Sequence, residues 1–517
     1  MKAWRLAVTA LLIALAAASA LPAGAQGSLH VWVDDDYCPS CPNGGHRWQV
    51  DAFSSIAPAM QAVSSGGTVH LLPGRYEESV TVDRPCTLTG HGPGRAVIGP
   101  GQGTVTLLVA ANDVTIEGVE VAGGEQAALL VLGPDFQRQP IRGVTVRQST
   151  VRGGYFGIAV NIDPQWNYGQ LPASEVEITG NSVSGCTRAI YVYNAQAEIS
   201  ANDVAGLAPG GIGIYSSQGS TSRITANTVR VEAANGRAVY VLDNQGTVVD
   251  GNTLLGATDV LTPTTAFALY GYTDLVLSNN AVHGFYWGTN AYTGGSARIA
   301  GNTFRDAVAW ALNLGTAVTT TQVLIQDNVI RGSYWGVRLD DDARYGLTAT
   351  VDGNTLTDNV VGIRLAASVR KGQVTIRGNA ICQNLAAGLR NESAALVDAS
   401  DNWWGANDGP RLSGSGDRVE GAVAVEPWAR LGASARTLLD GRVLITARLG
   451  SDRYPLRGRY LSFTTDAGAF LETAGLGHTA LTDWRGEATA TLRPLQGETA
   501  RVTVSNGCGA PVTLTAR

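Results

Sequence analysis

Short runs of alternating apolar and polar residues recur along most of this chain, and they recur at a fixed distance. The unit reads β-branched–x–β-branched–x–(Gly or small)–Asn–x–Val/Leu, as in Val176-Glu-Ile178-Thr-Gly180-Asn181-Ser-Val183. It returns around Asn202, Asn227, Asn252, Asn280, Asn302, Asn328, Asn354, Asn379 and Asn402. Nine intervals separate Asn181 from Asn402, about 25 residues each, and looser copies precede them at Val114–Gly118 and Val144–Gln148. A second alternating run follows each Asn by about ten residues, for example Ala189-Ile-Tyr-Val192, Gly336-Val-Arg-Leu339 and Gly362-Ile-Arg-Leu365. A period of two means strands with one buried face. Strands this short are stable only when successive copies stack, each pairing with the copy above and below. The pattern therefore predicts an all-β right-handed parallel β-helix of about 12 coils, a rod of roughly 60 Å at ~4.8 Å per coil. No i, i+3, i+4 pattern runs between the strands, which sets aside leucine-rich and helical repeats. The recurring Asn residues read as structural: left-handed backbone at a corner, and amides bonded from coil to coil.

Both ends depart from the repeat. Lys2 and Arg5 precede an apolar run from Leu6 to Ala20 and a small-residue cleavage site at Ala23-Gly-Ala25, the pattern of an export signal over 1–25. About fifteen apolar residues fall short of the ~20 that span a bilayer. A lead-in and cap follow over 26–66, in which Ser54–Val63 has helical spacing, Ser54 or Ser55 as N-cap and Gly66-Gly67 as the stop. The β-helix is placed at 67–408 and a Gly/Ser/Arg-rich closing loop or linker at 409–432. Over 433–517, alternating strands at Leu438–Arg448, Leu461–Gly468, Thr482–Leu492 and Ala500–Val504, separated by Gly/Asp turns, predict an immunoglobulin-like β-sandwich.

Composition narrows the class further. Charged residues are 15% of the 517 and the formal net charge is −6, two units more negative once Lys2 and Arg5 leave, which argues against a nucleic-acid partner. Of six cysteines only Cys38 and Cys41 are close in sequence, and a small disulfide loop is the better reading of that pair. Cys86, Cys186, Cys382 and Cys508 are expected as buried apolar residues. No second ligand pair stands at zinc-like spacing, so no metal site is assigned. Asp34-Asp35-Asp36 leaves calcium as the one candidate cofactor, against the plainer reading of a solvated strand.

Specific motifs carry a resemblance. Phe53–Gly90, with Gly67-Thr-Val-His-Leu-Leu-Pro-Gly-Arg-Tyr-Glu-Glu-Ser-Val and Cys86-Thr-Leu-Thr-Gly90, resembles the opening of bacterial right-handed parallel β-helix proteins of the pectin-lyase-like superfamily. Asp401-Asn-Trp-Trp-Gly405 through Pro410, and Val425-Glu-Pro-Trp428, resemble an ending found in that superfamily. The last segment resembles bacterial immunoglobulin-like domains of the invasin/intimin type, which implies a spacer or a contact with surface proteins. The superfamily resemblance implies the fold across about 30–430 and says little of chemistry, because that superfamily holds lyases, hydrolases, esterases, binding proteins and stalks. For its polysaccharide lyases it implies Asp or Glu residues holding calcium and an Arg or Lys removing a proton.

Alignment of the second strand of each coil predicts which side chains share the outer face. Buried pairs run from Ile158/Val160 and Ile190/Val192 through Ile212/Ile214 to Ile363/Leu365. The outward partners place Tyr191, Tyr193, Tyr215, Tyr240, Tyr270 and Tyr292 on five consecutive coils, then Arg338, Arg364 and Arg390 after a gap. Exposed tyrosines in a row suit sugar faces, and a guanidinium ladder suits uronate or sulfate. Tyr stacks that merely stiffen a strand face are the equal alternative. Trp287, Trp310 and Trp335, just before their strands, read as a packed corner. Trp166 and Tyr168 sit in what reads as an inserted loop, a good place for ligand contact. Arg338, Asp340, Asp341, Asp342 and Arg364 supply the residue types of a lyase site, though an Asp triplet is also a common turn. The resulting expectation is an exported extracellular or cell-envelope protein that binds, and by a weaker reading cleaves, polysaccharide along the Tyr/Arg face. The competing class is a non-catalytic surface stalk or adhesin.

Overall fold

The computed structural model describes residues 27–92, 94–132, 140–162, 173–257, 263–292, 294–315, 321–340, 346–370, 373–411 and 414–517. The export signal and the residues Trp166, Tyr168, Asp341 and Asp342 lie outside them. Among the described residues the chain is almost wholly β, with one α-helix, α1 (Ile56–Ala62).

Three parallel sheets run the length of a solenoid of about 13 turns. Sheet 1 extends from Ser28–Val33 to Val423–Ala424, sheet 2 has 13 strands from Gly74–Tyr76 to Ala380–Cys382, and sheet 3 has 14 from Val80–Val82 to Val419–Glu420. Register is kept residue by residue. Ile178, Ile199, Ile224, Val249, Leu277, Ile299, Ile325, Val351 and Ile376 pair in one unbroken inward line along sheet 1. These and their counterparts on sheets 2 and 3 form one apolar core from Val31 to Val419. A one-residue slip in any coil would turn its whole apolar set outward, so burial itself pins the register.

The corner between sheets 1 and 2 explains the repeated Asn. Asn181, Asn202, Asn227, Asn252, Asn280, Asn302, Asn328, Asn354, Asn379 and Asn402 are buried in a continuous ladder in which each side-chain Nδ2 donates to the next Oδ1 at 2.9–3.0 Å. The left-handed backbone, however, belongs to the residue before each of them: Gly180, Ala201, Ala226, Gly251, Asn279, Gly301, Asp327, Gly353, Gly378 and Asp401 all have positive φ. The ladder Asn thus works as a bonding side chain, and the sharp turn is made one position earlier. A second, shorter ladder runs Asn359, Asn384, Asp417.

Other expectations need correction. Helix α1 ends at Ala62, ahead of Gly66-Gly67, because Val63 already pairs as a strand. Ser55 holds the N-cap position without a side-chain bond, and the Glu78 carboxylate from the next turn takes the N–H groups of Ile56 (2.6 Å) and Ala57 (3.0 Å). Ile56, Ala59 and Met60 seat the helix in the solenoid core. Ile212 faces outward, paired with Arg188 and Arg237, so the inward pair of that strand is Ile214 and Ser216.

Eight antiparallel strands make the C-terminal unit. One sheet holds Arg430–Thr437, Val443–Gly450, Glu487–Arg493 and Ala469–Phe470; the other holds Gly477–Leu481, Tyr460–Thr465, Ala500–Ser505 and Val512–Ala516. The unit is bound to the last solenoid turns. Its core is continuous with Ala380, Cys382 and Trp403 of the solenoid. Cys382 and Cys508 form a disulfide, and Trp403 Nε1 donates to Cys508 O at 2.7 Å. Two of the cysteines expected as inert are therefore a covalent staple, closed across 126 residues. Cys86 and Cys186 are the buried free thiols, and Cys38–Cys41 is bonded.

Candidate functional site

The outer face of sheet 3 carries three columns of side chains in cross-strand register. The first runs Phe156, Arg188, Ile212, Arg237, Thr265, Trp287, Trp310, Trp335. The middle column runs Ala159, Tyr191, Tyr215, Tyr240, Ala268, Asn290, Asn313, Arg338, Arg364, Arg390. The third holds Tyr193, Ser217, Leu242, Tyr270, Tyr292. Side chains two dozen positions apart in sequence thus meet because the coils stack in register.

The N-terminal part of this face is not an open aromatic track. Tyr191, Tyr193 and Tyr215 are buried at 1%, 8% and 9% exposure, in an outer apolar cluster with Phe156, Ile162 and Ile212. The expected exposed row is therefore confined to Tyr240, Tyr270 and Tyr292, which are half-buried. Burial, then the neighbouring Tyr215, pushes the Tyr240 phenol above its ordinary pKa; burial, then Tyr240, does the same for Tyr270. These hydroxyls are neutral hydrogen-bonding groups, unsuited to act as bases. Their rings also stack on one another, at 4.9 Å for Tyr215–Tyr240 and 6.2 Å for Tyr270–Tyr292, so much of each ring face is already used.

Farther along, the tryptophans stand inside the strands rather than at a corner. Trp287, Trp310 and Trp335 are half-buried and stacked at 5.8 and 6.1 Å with planes within 20° of parallel. Arg338 lies 5.6 Å from the ring centres of both Trp310 and Trp335, and Arg364 lies 5.0 Å from that of Trp335. Such cation–π contacts contribute about 0.5–2 kcal/mol each. Among the described residues, no guanidinium covers Trp287; it ends the stack, next to the small Thr265 in its column, with Tyr286 edge-on at 5.0 Å. Trp310 Nε1 donates to Asn290 Oδ1 at 2.9 Å, and Asn313 Nδ2 bonds the same oxygen at 3.3 Å and the Tyr292 hydroxyl. The sequence signal for this column was an aromatic followed by Gly at the start of the strand, in Trp287-Gly288 and Trp335-Gly336. Its outward register became visible only in the fold.

The arginines are not a free cationic ladder. Arg338 Nη2 meets Asp340 Oδ2 at 2.8 Å; Arg364 grips Glu392 with two bonds of 2.9 and 2.6 Å; Arg390 meets Glu420 at 2.6 Å. Asp340 also accepts from Ser368 at 3.1 Å. Arg338 and Arg364 are cross-strand neighbours and Asp340 bonds Arg338, whereas Arg364 turns its bonds to Glu392 and not to Asp340.

Two further polar clusters lie away from this face. The carboxylates of Asp34, Asp35 and Asp36 could hold an ion such as calcium, their oxygens lying within 4.8 Å of one another. Asp34 and Asp35 also accept backbone N–H bonds from Asp36 and Arg75, both at 3.1 Å. Where the C-terminal unit meets the solenoid, the Tyr454 hydroxyl donates to Asp352 at 2.7 Å and the Arg459 guanidinium bonds Thr355 Oγ1 (2.9 Å) and the carbonyls of Gly353 and Gly378. That cluster is an internal clamp.

Comparison with family models agrees with this geometry. A model described as "Right handed beta helix region" matches residues 103–261 and 170–330, and one described as "Periplasmic copper-binding protein (NosD)" matches 256–410. The fold is a right-handed parallel β-solenoid, of the kind these two models describe. Solved structures with a similar trace include the catalytic unit of a GH87 alpha-1,3-glucanase from Streptomyces thermodiastaticus (15% identity, 80% of this chain and 70% of that one, TM-score 0.41). A mannuronan C-5 epimerase A-module from Azotobacter vinelandii shares 14% identity over 72% of this chain and 96% of that one, with a TM-score of 0.38. A pectin methylesterase from Aspergillus niger shares 16% over 53% and 87%, with a TM-score of 0.28. Comparison with curated proteins finds no match. Among the described residues no helix is long and apolar enough to cross a membrane.

Proposed function

We propose that this chain is an exported, non-catalytic glycan-binding solenoid whose binding face is the C-terminal half of sheet 3, centred on Trp287 and Trp310. The carrying observation is the half-exposed tryptophan column standing in register beside Asn290, Tyr292 and Asn313, themselves linked by hydrogen bonds. Indole edges and the end face of Trp287 offer apolar contact for sugar C–H groups, while the adjacent amides and hydroxyls suit sugar hydroxyls. Because the same step repeats on each coil, an extended chain of sugars can lie along the rod. Paired arginines and neutral tyrosines support binding rather than bond cleavage. The test is affinity electrophoresis of the full chain in gels containing neutral and uronic polysaccharides, with Trp287→Ala and Trp310→Ala alongside. Retention by at least one glycan, weakened about tenfold or more by either variant, is expected; no retention on any glycan refutes the reading. Product assays for unsaturated uronates and reducing ends should stay flat.

A second reading draws on a different observation. Tyr191 and Tyr215 are buried and stacked face to face at 5.0 Å, an arrangement that stiffens a rod and offers no surface. On that reading the solenoid is a stalk, and the C-terminal unit, clamped to its end, presents a surface to other proteins.

A further inference from the structure

The N-terminal end of the rod holds a cluster that the glycan face does not use. Four of the chain's six histidines, His30, His46, His70 and His91, gather around Trp32. His30 and Trp32 lie on the strand Ser28–Val33, His70 on Val63–Leu71 and His91 directly after Cys86–Gly90, three successive strands of sheet 1. Trp32 is paired with His70 across the sheet and stacks on it at 4.2 Å, while its ring also stacks with His46 at 4.9 Å. His91 stands edge-on, 5.7 Å from His70. These contacts hold the His70 ring so that its Nε2 shares a hydrogen bond with Nδ1 of the exposed His30 at 3.2 Å, the tautomer deciding which of the two donates.

We propose that His30 Nδ1 and His70 Nε2 together bind a first-row divalent transition ion of the zinc class, with water completing the shell. Two imidazole nitrogens at ~2.0–2.1 Å from a shared ion stand about 3.3 Å apart at the tetrahedral angle, close to the 3.2 Å of the hydrogen bond, so the ion displaces the shared proton and tilts of the two rings turn both lone pairs onto it. Neutral imidazole is the donor type such ions take, and the exposed side of His30 leaves a route for the ion and its waters. Nδ1 of His70 is buried with no hydrogen-bond partner among the described residues, so a bound His70 lacks the outer-shell acceptor that commonly strengthens a histidine ligand. Sequence spacing hides this pair: 40 residues separate His30 from His70, and only the stacking of strands brings them together.

Isothermal titration of the full chain with Zn²⁺ alone tests the site, with Ca²⁺ in a parallel arm. Expected are one zinc equivalent at micromolar Kd, a loss of tenfold or more in His30→Ala and in His70→Ala, and no change in the remote His283→Ala. Far-UV circular dichroism confirms that each variant folds. The assignment is overturned by absence of zinc binding in the parent chain, by unchanged binding in the His30→Ala/His70→Ala double variant, or by binding that disappears instead in Asp34→Asn/Asp35→Asn/Asp36→Asn.

Discussion

Replacing Asn302 with Ala removes one rung from the middle of the ladder, and the structure allows its cost to be worked out. Oδ1 of Asn302 accepts the backbone N–H and the side-chain Nδ2 of Asn280, both at 2.9 Å. Its own Nδ2 donates to Leu277 O at 2.8 Å and to Asn328 Oδ1 at 2.9 Å. The side chain is fully buried, so water cannot substitute. In the variant the Asn280 N–H loses its acceptor, costing about 1–3 kcal/mol, and three further bonds lose about 0.5–1.5 kcal/mol each in net terms. A destabilisation of about 2.5–7.5 kcal/mol is expected. Stacked coils interact with nearest neighbours, so the loss should be concentrated locally. Native-state hydrogen exchange is the suitable assay: protection of the Asn280 amide should fall by that amount, while the Asn202 amide, four rungs away, should change far less. A loss below about 1 kcal/mol at Asn280 would refute the claim that the ladder bonds hold the corner.

The remaining predictions concern the clamp, the ladder end and the glycan face. Arg459→Met strips the partner from the carbonyls of Gly353 and Gly378 and should cost about 2–4 kcal/mol, seen as earlier proteolytic release around the junction; the exposed Arg457→Ala should change almost nothing. Asp417 ends the second ladder, accepting from Asn384 at 3.1 and 2.7 Å, and burial raises its pKa in spite of those bonds. A native pKa above the unfolded one means the folded state holds the proton more tightly. The Asp417 contribution to stability is therefore full below the ordinary carboxylate range and is lost as pH rises through the raised native value; thermal melts across that window should slope downward, and Asp417→Asn should flatten the slope. At the glycan face, Trp310→Ala should weaken retention while leaving the melting temperature within a few degrees, since the ring is only half-buried.

Much of this protein follows from spacing alone. A 25-residue return of alternating residues leaves few ways to bury so many short strands, and stacking them is the one that uses every backbone group. The ladder Asn residues, the outward register of Tyr240, Tyr270 and Tyr292, and the grouping of Arg338 with Arg364 are consequences of that period. What the sequence could not show is what each outward side chain meets once it is there. Tyr191 and Tyr215 have the same pattern as Tyr240 yet are buried, because apolar neighbours from adjacent coils close over them. Arg338, Arg364 and Arg390 read as free charges until Asp340, Glu392 and Glu420 are found against them. Cys382 and Cys508, 126 residues apart, meet only where the C-terminal unit docks on the last turns. Period determines which residues share a face; burial, charge pairing and long-range closure depend on three-dimensional neighbours, and those were decided by the tertiary structure.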